Sequence, residues 1–323
     1  MAEKFYLNAT MDYKGDSYFP VMDKEINLED YCYTQENIVK IFDYDENNIL
    51  CIGSTKVFVV NKINMSIEKT INTTHDTNGV CYDYESTVLY YICKTDMALY
   101  KYDFSTDENV KMDVDFGSIR LSSSYTKLMD KTGNCIYIVN DNRLIKISVE
   151  DRTVTSTLLF NSIYTANDRC VYALSSSSST LTVSIVNKEE FTKESFNVTL
   201  NVEAKSQNCL CSNKFIFFVG PSNRLIIIDL ENRCLINKSN SKYVSILLYK
   251  ENIIGIRDNT IYKIVVSSES CDKKIATVND NVDLTGISSC YCIDDTFYIA
   301  FQNGIYNTIT EYKKSDHYKK LEV

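Results

Sequence analysis

Cys135-Ile-Tyr-Ile-Val139, Asn140-Asp-Asn142 and Leu144-Ile-Lys-Ile147 read in succession as an apolar run, a polar turn and a second apolar run. Asn and Asp tolerate the positive φ that a tight hairpin needs, and Ile, Val and Tyr suit a pleated, half-buried surface. The segment therefore predicts a β-hairpin. The same phrase recurs along the chain. Its first strand reads Ile49-Leu-Cys-Ile52, Val88-Leu-Tyr-Tyr-Ile92, Cys170-Val-Tyr-Ala-Leu174, Phe215-Ile-Phe-Phe-Val219, Ile253-Ile-Gly-Ile256 and Phe297-Tyr-Ile-Ala-Phe301. Its second reads Val57-Phe-Val-Val60, Leu99-Tyr-Lys-Tyr102, Leu181-Thr-Val-Ser-Ile185, Leu225-Ile-Ile-Ile228, Ile261-Tyr-Lys-Ile264 and Ile305-Tyr-Asn-Thr-Ile309.

Aligned at Lys56, Ala98, Arg143, Thr180, Arg224, Thr260 and Gly304, the second strands are spaced by 42, 45, 37, 44, 36 and 44 residues. A period near 41 is the signature of a β-propeller. Each pair is preceded by a shorter apolar segment, such as Val39-Lys-Ile-Phe42, Gly79-Val-Cys-Tyr82 or Ser245-Ile-Leu-Leu248. Each is followed by another, such as Ser66-Ile-Glu-Lys-Thr-Ile71, Val154-Thr-Ser-Thr-Leu158 or Lys274-Ile-Ala-Thr-Val278. That makes four strands per unit, the blade of a propeller. The expected fold is all-β: a seven-bladed β-propeller with four-stranded antiparallel blades over residues 37–323, preceded by an arm over residues 1–36 that closes the ring. Lys4-Phe-Tyr-Leu-Asn-Ala-Thr-Met11 is a candidate closing strand, and Val21 to Tyr31 has room for one helical turn.

The 323 residues exceed the usual span of one domain, but all-β barrels and propellers often do so as single units. With 44% hydrophobic residues the chain has material for a substantial core. The net charge of −9 disfavours a phosphate backbone as partner, because such binding depends on clustered Lys and Arg. Residues 1–47 hold 11 acidic and 4 basic side chains, so the arm carries most of that charge. No run approaches the roughly 20 apolar residues that span a bilayer, and the start lacks a basic segment followed by a long apolar one. The expectation is a cytoplasmic protein without membrane insertion. Sequons at Asn8, Asn64, Asn72, Asn197 and Asn237 carry little weight without a signal sequence.

The 12 cysteines fall mostly inside the strands and read as reduced, buried, small apolar side chains rather than as a disulfide framework. Cys209-Leu-Cys211 and Cys290-Tyr-Cys292 each put both sulfurs on one strand face, but the pairs belong to separate blades and lack the knuckle spacing of a zinc site. Asp43-x-Asp45-x-Asn47 and Asn279-x-Asn281-x-Asp283 imitate half of a calcium loop, yet lack its Gly and its closing Glu, and read as turns. Only two histidines occur: His317 lies in a polar tail, and His75 reads as a loop or blade-packing residue. No nucleophile motif or glycine-rich phosphate loop is present. Catalytic residues, metal ligands and cofactors are therefore not expected.

Tyr102-Asp103 and Ile228-Asp229 stand at the ends of second paired strands, and His75-Asp76 precedes a blade. In these places the chain resembles the WD40-like superfamily, whose blades carry Trp-Asp and Gly-His there. The resemblance implies a rigid platform for protein partners, so the expected function is a non-catalytic interaction scaffold, a subunit of a larger assembly. Two rivals are a propeller using its channel mouth to bind or hydrolyse carbohydrate, and a secreted or surface adhesin. The acidic stretch from Phe5 to Tyr44 carries Tyr6, Tyr13, Tyr18, Phe19, Tyr31, Tyr33 and Tyr44, a composition suited to partner contact, and the first six of these are the candidate contact residues.

Overall fold

The computed structural model describes residues 24–27, 31–33, 36–121, 126–159, 163–177, 180–200, 209–220, 224–249, 252–257, 260–266, 272–278, 287–293, 296–301, 304–307 and 309–312. The apolar runs become the two middle strands of successive sheets. Cys135–Asn140 pairs antiparallel with Arg143–Ser148, flanked by Thr126–Thr132 on the inner side and Val154–Leu158 on the outer. Second paired strands begin at Lys56, Arg143, Thr180, Arg224, Thr260 and Gly304, where the period had put them; the remaining one begins at Leu99.

Burial explains the pattern. A middle strand is covered on both faces by neighbouring sheets, so Val88–Cys93 is buried along its whole length. The outer strand of the same sheet, Glu108–Lys111, is exposed at every residue and has only one apolar position, Val110. Continuous apolar runs thus mark the middle of each sheet and polar segments its rim. Between sheets lie apolar layers: Leu50, Ile52, Val57 and Val59 against Val80, Leu89 and Tyr91, then Ile136, Ile138 and Ile145 against Tyr90, Ile92 and Leu99. Similar layers join the following sheets. Tyr298 and Ala300 pack on Ile38, Ile41, Ile49 and Cys51, joining the last sheet to the first.

The inner strands neighbour one another in turn, from His75–Asp83 through Thr126–Thr132, Ile163–Ala166, Cys209–Cys211, Ser245–Tyr249 and Ile287–Ile293 to Lys40–Asp43. Lys40 completes the circuit by donating to the carbonyl of Val80 at 2.9 Å, and Tyr291 donates its hydroxyl proton to the carbonyl of Val39 at 2.6 Å. The fold is a β-propeller with four-stranded antiparallel blades.

Two expectations are corrected. Six sheets, not seven, are four-stranded antiparallel blades; the remaining sheet has six strands. There Lys24–Asn27 lies parallel to the outer strand Lys273–Val278 and antiparallel to Ile309–Tyr312. The expected helical turn within Val21 to Tyr31 gives way to that strand, because an open sheet edge offers backbone groups that a four-residue segment of weak helical pattern can pair with. Tyr31–Tyr33 pairs antiparallel with Gly304–Asn307 as the outermost strand of another four-stranded sheet. Lys4 to Met11 lie outside the described residues.

Candidate functional site

In an antiparallel meander, the turns joining first to second and third to fourth strands lie at the same end of the sheet. Three such turns, from the two sheets of residues 40–72 and 75–111, bring an aromatic cluster together. Phe42 and Tyr44 close the inner strand of the first sheet; Tyr82 and Tyr84 close that of the second; Tyr102 and Phe104 end its third strand. Ring centroids of Tyr44 and Phe104 lie 4.9 Å apart, those of Tyr44 and Tyr82 6.2 Å, and those of Phe42 and Tyr82 5.9 Å. Phe104 meets Tyr82 and Tyr102 edge-on at 6.0 and 4.9 Å. The rings sit on the apolar layer between the two sheets, while Tyr84, stacked edge-on to Tyr82, is 59% exposed. Ile63, in the third-to-fourth turn of the first sheet and so at the same end, is 67% exposed.

Carboxylates interleave with these rings. Asp43 pairs with Lys62 at 2.8 Å, Asp83 with Lys131 at 2.9 Å and Asp107 with Lys69 at 2.7 Å. Burial opposes ionisation of Asp83, but hydrogen bonds from Lys131 and Ser86 outweigh it and lower its pKa. Burial raises the pKa of Tyr44, and the neighbouring charge of Asp45 adds to the rise; burial likewise raises that of Tyr82.

Other polar groups hold the ring together. The Lys188 side chain is 3% exposed, and its ammonium donates to Asp130, to the Thr132 hydroxyl and to the Asn167 carbonyl, clasping the sheets of residues 126–158 and 163–199. Lys131 and Asp83 tie the second sheet to the third in the same way. His75 is fully buried; its Nε2–H donates to the carbonyl of Gly53 at 2.9 Å, so Nδ1 accepts from the Thr73 hydroxyl. This agrees with the reading of His75 as a packing residue and links its sheet to the preceding hairpin. Glu36 holds that hairpin, accepting from the amides of Thr55 and Lys56 at 2.8 and 3.1 Å.

Asp43 and Asp45 form part of a turn, as expected: Asp45 accepts from the amides of Asn47 and Asn48, both at 2.8 Å. Asn279, Asn281 and Asp283 lie outside the described residues. Eight described cysteines are thiols, four of them buried, although Cys234 is exposed. Cys209 and Cys211 share the inner strand of one sheet; burial raises both thiols, Cys211 to about 11. Of the expected contact residues, Tyr6, Tyr13, Tyr18 and Phe19 lie outside the described residues. Tyr31 and Tyr33 stand in register with Tyr306 and Gly304, on a blade edge. Of the seven aromatics named in the amino-terminal stretch, Tyr44 joins the cluster, beside Phe42. A signal for the rest was present: Phe42-Asp-Tyr-Asp45 and Tyr82-Asp-Tyr-Glu85 are the same phrase, one repeat apart.

No protein-family model matches the chain, and no curated protein matches it in sequence. Among solved structures it is similar to PorZ, described as an essential bacterial surface component of the type-IX secretion system of Porphyromonas gingivalis. That likeness has a TM-score of 0.58 at 13% identity, covering 89% of this chain and 39% of the other. It is also similar to the extracellular domain of a B. thetaiotaomicron protein described as a one-component system, with TM-score 0.60, 14% identity and coverage of 88% and 39%. The computationally designed protein Ika8 gives TM-score 0.57 at 8% identity, covering 90% of this chain and all of that one. The chain thus spans 39% of the length of the two bacterial proteins. At these identities the likeness is one of fold.

Proposed function

We propose that this protein is a non-catalytic interaction scaffold and a subunit of a larger protein assembly. The observation that carries the reading is the aromatic cluster with Tyr84 59% exposed at its surface. Aromatic side chains are enriched at protein interfaces, where they bring large contact area at low entropic cost. The buried Lys188 and His75 and the partly buried Asp130, Lys131 and Asp83 are each engaged in joining one sheet to the next, which favours a stiff platform over a reactive centre. In this reading the six-stranded sheet is a further blade widened by two strands, and the arm over residues 1–36 closes the ring through Tyr31–Tyr33. The free thiols of the described cysteines favour a reducing compartment such as the cytoplasm.

The test is purification of the full chain at native abundance from its own cells, followed by mass spectrometry. A stoichiometric protein partner is expected; a clean monomer counts against the scaffold role.

A further inference from the structure

The turns of residues 42–47, 82–87 and 103–108 contain eight carboxylates, no Lys and no Arg, around the aromatic cluster just described. Asp43, Asp83 and Asp107 are neutralised by lysines reaching in from outside the turns. Asp45 and Asp103 accept from backbone amides of their own turns. Glu46, Glu85 and Glu108 remain exposed and without an ion pair among the described residues. The matching inner turns of the next three sheets, Thr132-Gly-Asn134, Asn167-Asp-Arg169 and Ser212-Asn-Lys214, carry no aromatic residue and only one acid between them. The aromatic, acidic inner turns thus belong to the first two sheets and have no counterpart in the inner turns of the following three.

From this charge complementarity we propose that the end of the propeller at residues 42–47, 82–87 and 103–108 docks a cationic segment of a partner protein. That segment alternates Lys or Arg with apolar side chains. Its apolar groups lie against Tyr84 and the rings of Tyr44 and Phe104, and its cations meet Glu46, Glu85 and Glu108. Arg and Lys are also attracted to aromatic faces, so rings and carboxylates select the same occupant. Phosphate backbones are repelled by the same carboxylates. The proposal rests on the scaffold reading and gives it a surface and a partner chemistry.

The experiment displays a library of random 12-residue peptides to the full chain and measures affinities of the selected peptides. Peptides combining Lys or Arg with Leu, Ile or aromatic residues are expected, with affinity falling as salt rises. A triple variant, Tyr84→Ser with Glu46→Lys and Glu85→Lys, alters only exposed side chains. It is expected to weaken the selected peptides by about tenfold or more, whereas Glu231→Lys, at the same end of a distant sheet, leaves them unchanged. Selection of acidic or uncharged peptides, or equal binding to the triple variant, overturns the proposal while leaving a scaffold role elsewhere on the ring intact. Binding that emerges only when residues 313–323, with their four lysines, are deleted makes the chain's own tail the occupant and also overturns it. Peptide binding at the patch with no partner co-purifying from cells would instead count against the scaffold reading alone.

Discussion

His75 is held neutral: burial lowers its pKa to about 4, against about 6.5 for an exposed imidazole. The unfolded chain therefore binds more protons between those two values, and stability falls as pH drops through that window. The loss from this residue reaches about 3 kcal/mol and does not grow below pH 4. Urea unfolding at pH 7 and pH 4.5 is expected to show a smaller acid loss for His75→Gln than for the natural chain; identical losses would refute this account. Lys188 is a different case. Its partner Asp130 is 33% exposed at the side chain and can be hydrated when left alone, so Lys188→Met is expected to cost about 2 kcal/mol, less than the 3–5 of a fully buried pair. Denaturant midpoints measure it. His75 could be singled out in the sequence because it is one of only two histidines and comes before the apolar segment Gly79-Val-Cys-Tyr82. Lys188 could not: Asn187-Lys-Glu-Glu190 reads as a solvated turn, and nothing in it says that the ammonium turns back between two sheets.

At the scale of one hairpin, the third-to-fourth turn repeats a device that spacing alone did not reveal. An Asn or Asp at its first position accepts the amides two and three residues on: Asn61 from Ile63 and Asn64, Asn187 from Glu189 and Glu190, Asp229 from Glu231 and Asn232. Four residues after each comes a positive φ, at Met65, Phe191 and Arg233, as also at Asp107 and Arg152. In the turns that begin with Asn or Asp, side-chain acceptance of turn amides supports that conformation without glycine. Asp229→Ala, which loses these bonds and the one from the Asn232 side chain, is expected to cost about 1–2 kcal/mol. Asp229→Asn is expected to be near neutral, since Asn does the same work in two sister turns; thermal unfolding of the pair decides it. The paired apolar strands were legible because both faces are buried, which leaves an unbroken hydrophobic signal. The aromatic cluster left only the repeated phrase at residues 42–45 and 82–85 as a trace, because its members, from Phe42 to Phe104, meet only when two sheets pack.

For the molecule as a whole, two short amino-terminal strands cover the outer edges of Lys273–Val278 and Gly304–Asn307. A chain starting at residue 36 uncovers both. It is expected to melt earlier and to self-associate in size-exclusion chromatography, because exposed strand edges pair with other chains. An unchanged monomer with an unchanged melting temperature would show that those edges are not exposed. Neither Lys24–Asn27 nor Tyr31–Tyr33 could be assigned from composition, since segments of four and three residues carry no period and become strands only where an edge awaits them. The register of Tyr31 with Tyr306 spans 275 positions. On a ribosome, Tyr31–Tyr33 must wait, unmated, while the residues up to Gly304 are synthesised, and such long-range pairings form slowly. Each intermediate sheet can assemble as it emerges, but the ring can be sealed only after residue 304 has left the tunnel.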